Sequence, residues 1–433
     1  MRMALFRCLV AWLAAFAGTD FAFITCAAEC HPYEWSYHYG KDVCHPLDVN
    51  ALIAAKPVEG GCVVIPPGRW ECAPVKLKSN IELHLSAGSE LVFTDDVTKC
   101  LPAVLTSYEG IECYGYSPLI YAYGATNIAI TGCGLIRPRM GRWEGWRWAD
   151  DETRESRRIL NEEWGDKDMP LKNRDLTALP GSKARPQFIG LNSCKGIRLE
   201  GFVLQDSPFW CIHLLNCENV VARGLTVSGF LNNNDGIDVE CSRNVLIENC
   251  SFDQGDDVIV LKSGKDRDGR RRAIPTENVT VRRCRAGAGH GLLVIGSECS
   301  GGVRNVLLED CLVDGSVYSV LKVKTSCKRG GYVENVRLRR VRAKSILDSV
   351  VSIVTDYSIN PSGVRAEIVL TPIKDISVED VEVAVARRRC DVRGDARRPI
   401  EGLFLRNIVV GEYEQDDRVE NAKIVKEDMR DVR

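Results

Sequence analysis

Residues 243–252 read RNVLIENCSF, and the same ten-residue frame returns along the chain. TNIAITGCGL (126–135), KGIRLEGFVL (195–204), ENVVARGLTV (218–227), ENVTVRRCRA (277–286), RNVLLEDCLV (304–313), ENVRLRRVRA (334–343), KDISVEDVEV (374–383) and RNIVVGEYEQ (406–415) share it. Each copy sets a polar residue or Gly before a β-branched residue and then alternates apolar with polar positions, the mark of a short, half-buried strand. Successive copies start at Gly196, Asn219, Asn244, Asn278, Asn305 and Asn335, with tightest spacings of 23 and 25 residues. Longer spacings carry charged or Gly-rich insertions such as GKDRDGRRRAIP (264–275). The units are rich in Val and Ile and lack a 3.6-residue period, which disfavours a helical repeat. One coil of short strands per repeat predicts an all-β fold, a single-stranded right-handed parallel β-helix or β-solenoid. Cys133, Cys250, Cys284 and Cys311 each lie six residues after the Asn of their copy and are expected to stack on one interior line as small hydrophobes.

The remaining bounds agree with an exported solenoid. The chain has 433 residues, is 45% hydrophobic and carries a formal charge of −2, which excludes a globally basic nucleic-acid surface. Residues 1–28 read as a signal peptide: Arg2 and Arg7, a short apolar run CLVAWLAAFAG, and a small-residue cleavage site after Ala28. A lipoprotein reading that acylates Cys26 is weaker, because Thr25 is unusual at that place. Residues 29–433 are then one β-helix domain, secreted or periplasmic. No later segment is apolar for long enough to span a membrane. Of 19 cysteines, 17 would remain after removal of the leader, an odd number that cannot all pair. No CxxC pair has zinc-site spacing, so no structural metal is expected.

Coil geometry gives the polar residues a second meaning. Neighbouring coils sit about 4.8 Å apart, so residues one repeat apart become neighbours in space. In GFLNNNDGIDVEC (229–241), Asn233 and Asp235 precede Asp256 and Asp257 by one coil. His290 in GAGHGLLVIGSE follows one repeat later, and Lys322 and Lys324 in VLKVKTS one repeat after that. Four consecutive coils thus bring three carboxylates, an imidazole and two ammonium groups to one face. That is glycosidase chemistry: a protonated carboxyl for the leaving oxygen and a carboxylate to activate water. Crowded carboxylates cannot all ionise easily, so one is expected to keep a raised pKa and serve as the acid, and the lysines suit an anionic sugar. The alternatives for these residues are structural: Asn232 to Asn234 as a ladder of stacked amides, Asp256 and Asp257 as a turn, His290 as a packing residue, the lysines as a solvated face. Asp238 reads as a structural carboxylate supporting the turn.

In order and spacing, Asn233-Asn234-Asp235-Gly236, Asp256-Asp257, Gly289-His290-Gly291 and Lys322-Val323-Lys324 resemble the four motifs of glycoside hydrolase family 28, the polygalacturonases: Asn-Thr-Asp-Gly, Asp-Asp, Gly-His-Gly and Arg-Ile-Lys. The likeness runs from about residue 45 to about residue 412. It implies a parallel β-helix hydrolysing α-1,4-galacturonosyl bonds of pectin with inversion, without metal or organic cofactor. By the same resemblance Asp256 is the general acid, Asp235 and Asp257 activate the water, and His290 sets the acid's protonation. Lys324 and Lys322 bind the galacturonate carboxylate, and Asn233 orients the site. Asn234 stands in place of Thr, and Lys322 in place of Arg, which keeps the charge but loses the bidentate fork.

The segment GRWEGWRWADDETRESRRILNEEW (141–164) breaks the repeat and is predicted partly helical. Near the cleft it would close one end and favour exo cleavage; otherwise it packs on the barrel wall. ARRRCDVRGDARR (386–398) reads as a solvated loop. The sequons at Asn249 and Asn278 are discounted because both fall in predicted strands. The expected partner is a pectic polysaccharide or oligogalacturonide met by a monomer, with no nucleic acid and no membrane. The rival readings are a rhamnogalacturonan or other substituted-pectin hydrolase, a calcium-dependent pectate lyase-like β-helix, and a non-catalytic carbohydrate-binding β-helix.

Overall fold

The computed structural model describes residues 44–147, 150–167, 169–357 and 367–431. The expected leader over residues 1–28 lies outside them. The repeats wind into a right-handed parallel β-helix whose coils each contribute strands to three parallel sheets. The sheet that carries the site comprises β1 (Ile120–Tyr123), β2 (Ile189–Asn192), β3 (Ile212–Leu215), β4 (Ile237–Glu240), β5 (Ile259–Lys262), β6 (Leu293–Gly296) and β7 (Leu321–Lys324). Their first residues pair in register, Ile120–Ile189–Ile212–Ile237–Ile259–Leu293–Leu321, and all are fully buried. The β-branched residue of the repeat forms a second interior line, Ile128–Ile197–Val220–Val245–Val279–Val306–Val336–Ile376; the last copy, 406–415, is out of step with it, its Ile408 pairing with Val381. Each such side chain contributes about 1.5–3 kcal/mol by leaving water, so the core is a sum of near-identical layers.

The repeat's Asn has a conformational task. Asn127, Asn219, Asn244, Asn278, Asn305 and Asn335 all sit at φ between 53° and 60°, the left-handed corner that Asn tolerates better than other side-chain-bearing residues. Their amides stack: Asn244 donates to Asn219 (3.0 Å), Asn278 to Asn244 (3.1 Å), Asn305 to Asn278 (3.0 Å) and Asn335 to Asn305 (2.8 Å). The amide ladder therefore lies at these corners and not at Asn232 to Asn234. Asn278 is a rung of it, while Asn249 occupies a corner between strands rather than a strand, its Oδ1 accepting from Arg283 at 3.0 Å.

Three of the four cysteines behave as expected. Cys250, Cys284 and Cys311 stack, buried, in successive coils. Cys133 does not join them: it is only half-buried. Every described cysteine is free. The segment 386–398 is also corrected. Residues to Arg393 continue the strand Ile373–Arg393, with Cys390 and Val392 buried opposite Val351 and Ile353, and only the turn beyond is a loop.

The insertion is helical, with helices Gly141–Gly145 and Asp151–Arg158 and a wider turn over Ile159–Gly165. It packs with the antiparallel hairpin Val104–Tyr108/Ile111–Gly115 on a second small core. Leu160, Trp164 and Leu176 of the insertion region meet Tyr108, Ile111 and Cys113 of the hairpin and, from the coil just before β3, Phe209 and Trp210. The insertion is thus anchored beside the polar coils, at their N-terminal end.

Candidate active site

The turn before β4 is locked by a residue read in the sequence only as a rung of an amide ladder or a replacement for Thr. Asn234 is fully buried; its amide donates to the carbonyls of Ser207 (2.9 Å) and Phe209 (2.8 Å), and its Oδ1 accepts from the Leu231 N–H at 2.9 Å. A Thr hydroxyl offers one donor where Asn offers two, so it could not donate to both carbonyls. Asn233, at φ 62°, accepts from Arg185 at 3.0 Å, and Arg185 also holds the Asn232 carbonyl at 2.8 Å. Asp235 ends this turn almost wholly buried.

One coil on, Asp256 and Asp257 divide the work between surface and interior. Asp256 Oδ1 lies 2.9 Å from His290 Nδ1, and the His290 ring stands edge-on to Tyr318 at 5.0 Å. His290 is 44% exposed and Asp256 22%, so these two meet solvent. Asp257 is buried, and its Oδ2 accepts from Lys324 Nζ at 2.7 Å. Lys324 lies 5.5 Å from the Tyr357 ring, and Lys322 stands half-buried on the same strand. Asn233, Asp235, Asp256, Asp257, His290, Lys322 and Lys324 therefore fall on consecutive coils of one sheet, the placement expected from their spacing.

The electrostatics separate the carboxylates. Burial pushes the Asp235 carboxyl well up, and Asp238 and Asp256 add to it, against the pull of Lys262. Burial also pushes Asp256 up, but the His290 hydrogen bond and the Lys324 charge outweigh it and hold Asp256 below the usual range. The same hydrogen bond raises His290. The carboxyl pushed up is therefore Asp235 and not Asp256, the reverse of the order expected for an acid at Asp256. Burial and the neighbouring Lys324 lower Lys322, whereas Asp257 outweighs burial at Lys324 and keeps it charged. Ligand atoms of Asp256, Asp257 and His290 lie within 4.8 Å of one another. Two of these carboxylate oxygens are already taken by His290 and Lys324, and we assign no metal to the group.

Several residues of the site were not anticipated. Asp238 is no turn support: it lies in β4, fully buried, pointing to the same face as the others, with neither oxygen hydrogen-bonded. Beside it, Lys262 of β5 is buried, 3.8 Å from Asp238, 4.0 Å from Asp235 and 3.0 Å from Glu298. The Trp210 ring lies 4.7 Å from its Nζ. Both sit at outward positions of their strands, which alternation reads as solvated. They are covered because the hairpin lies over this sheet: Ser107 of the hairpin donates to Glu240 at 3.1 Å and accepts from Gln187 at 3.0 Å. The signal available in the sequence was the alignment IHLL/IDVE/IVLK/LVIG/LKVK, in which charges recur at the second and fourth places.

Comparison with known proteins places these features. The chain is 32% identical to a hyperthermoactive exopolygalacturonase from Thermotoga maritima of known structure, over 88% of this chain and 86% of that one, with a TM-score of 0.80. A polygalacturonase structure from Erwinia carotovora ssp. carotovora shares the fold at 20% identity and a TM-score of 0.64, over 89% and 96% of the two chains. Among curated sequences, a probable polygalacturonase of Vitis vinifera is 28% identical over 66% of this chain and 54% of its own length. An exo-poly-alpha-D-galacturonosidase of Dickeya chrysanthemi is 24% identical over 74% of this chain and 57% of its own. The chain thus spans somewhat more than half the length of these curated relatives. The sequence model of glycosyl hydrolases family 28 matches residues 172–428, which include every residue of the site. With that match and the shared fold, the chain belongs to glycosyl hydrolases family 28.

Proposed function

We propose that the protein is an exported polygalacturonase that hydrolyses α-1,4-galacturonosyl bonds from chain ends, with inversion. One observation carries the reading: a solvent-reaching Asp256–His290 couple stands beside buried Asp235 and Asp257, with Lys324 and Lys322 one face along. In this reading the couple holds one proton between Asp256 Oδ1 and His290 Nδ1, and Asp256 passes it to the leaving glycosidic oxygen. Asp235 and Asp257 take the proton of the attacking water. Lys324 and Lys322 receive the substrate carboxylate, and Arg185 holds Asn233 towards the sugar. The Lys324–Asp257 contact couples substrate binding to the base, because a carboxylate drawn to Lys324 competes for the same ammonium.

The exo mode is supported by the insertion seated beside β3 and by the likeness to the Thermotoga exopolygalacturonase. The loss of the Arg fork at position 322 favours, as a second reading, a substituted pectin such as rhamnogalacturonan. The deciding experiment is the product profile on polygalacturonan and on rhamnogalacturonan, with and without chelator. Galacturonate monomer alone, without an unsaturated product and unaffected by chelator, is expected. A ladder of oligomers would remove the exo assignment, and ultraviolet-absorbing product would mean a lyase. If Asp256→Asn hydrolysed as fast as the parent, Asp256 would not be the acid.

A further inference from the structure

Lys262 belongs to none of the four family motifs, yet it lies at the centre of the buried charge. Its Nζ is 3.0 Å from Glu298, 3.8 Å from Asp238 and 4.0 Å from Asp235, and Trp210 covers it at 4.7 Å. Among the described residues no other cation lies within ion-pair distance of Asp235 or Asp238. Glu298, by contrast, is also faced by Lys265 and Arg329. Asp238 lies beside Asp257, Glu240 and Asp256, and Asp235 beside Asp256 and Asp257. Neither Asp238 oxygen nor Asp235 Oδ1 has a hydrogen-bond partner. Two buried carboxylates with so few donors cannot both be charged, since each would lack compensation. A single ammonium at nearly equal distance from both supports one negative charge between them.

We infer that Lys262 is a positioning residue of this site: its ammonium, steadied by Glu298, holds Asp235 and Asp238 as a pair sharing one negative charge, which keeps Asp235 available as base. The inference rests on the assignment of Asp235 to water activation. Glu298 tunes it, because every increment of Lys262 charge that Glu298 takes is withdrawn from the pair. The insertion enters through Trp210, whose ring belongs to the insertion's own core and shields Lys262 from water. The acidity of the base is thereby tied to the seating of the segment beside it. The electrostatics agree in direction: burial lowers Lys262, but Glu298, Asp238 and Asp235 outweigh it, and Lys262 in turn opposes the rise of both aspartates.

The test uses Lys262→Met, Glu298→Gln and Lys262→Arg in the full-length protein, reading the acidic limb of kcat/KM on polygalacturonan. That limb reports ionisation of the base in the free enzyme. Removing a cation at this distance raises the base's pKa, so in Lys262→Met the limb moves up by about one pH unit or more. Removing the competing anion does the reverse, so in Glu298→Gln the limb moves down. Lys262→Arg returns it towards the parent. A loss of rate equal at every pH in Lys262→Met, or limbs moving the same way in both neutral variants, would overturn the inference. If Lys262→Met does not fold, the isosteric Glu298→Gln decides by its direction alone. Infrared titration of the protonated carboxyl band in the parent and the variants reads the same pair without substrate. A parent inactive on polygalacturonan would therefore defeat the functional reading, and with it the role of Asp235 as base, and still leave the shared charge of the pair decided.

Discussion

Replacing Asn234 by alanine asks whether the turn that carries Asp235 is held by one side chain. The substitution removes two donations, to Ser207 O at 2.9 Å and Phe209 O at 2.8 Å, and one acceptance, from the Leu231 N–H at 2.9 Å. Asn234 is fully buried, so no water replaces these bonds without the turn opening. At about 1 kcal/mol net for each bond, the cost is about 3 kcal/mol, on the order of a hundredfold in the opening equilibrium. The cost is local, because Ile237, the first residue of β4, keeps its layer in the core. Hydrogen–deuterium exchange read by mass spectrometry is the assay. Peptides over 229–237 are expected to lose protection by roughly that factor, while those over the corner asparagines keep theirs. Activity falls with it, as Asp235 leaves its place under Asp256. Asn234→Thr, which gives the family's residue, restores part of the protection, because its hydroxyl can still accept from Leu231. Unchanged exchange over 229–237 in the alanine variant would refute the assignment of the lock to Asn234.

Three further outcomes follow. The hydrogen bond to Asp256 holds His290 above its ordinary pKa; the protonated form persists to higher pH, and the basic limb of kcat/KM is expected to move down in His290→Gln. An unmoved limb would show that the proton is not shared with His290. Lys322→Arg restores the bidentate fork and is expected to lower KM on polygalacturonan severalfold with kcat little changed; an unchanged KM would place position 322 outside the carboxylate grip. Trp164→Ala removes a buried side chain from the insertion's core at a cost of about 3–5 kcal/mol; mixed oligomers are then expected beside monomer, and monomer alone would detach the insertion from exo selection.

The coil was legible because two local rules coincide in each repeat. Alternation marked the strand, and a polar residue or Gly before a β-branched residue marked where each copy begins, both properties of a few consecutive residues; that this residue turns a left-handed corner only the structure shows. Asp235, Asp256, Asp257 and His290 were legible because their spacing equals one coil. Lys262 and Glu298 were not, although they touch. Glu298 lies two residues beyond Gly296, the end of β6, so the strand register does not bring it to Lys262. Alternation was also misleading there: an outward position means solvent only when nothing lies over the sheet, and here the hairpin does. The corrected stretch 386–393 shows the converse. Its arginines masked an ordinary inward alternation of Cys390 and Val392.

The corner asparagines carry a consequence for how this molecule can change. From Asn219 to Asn335 each amide bonds to the one before it at 2.8–3.1 Å, so the axial position of each of these coils is measured from its neighbour at the corner, independently of contour length. A coil may therefore be lengthened on the far side of the corner, as the one bearing Asp266–Arg272 has been, without sliding Asp257 relative to Lys324. The ladder acts as a ruler. It separates the distances that chemistry requires from the loops that choose a substrate, and lets the second vary while the first stay fixed.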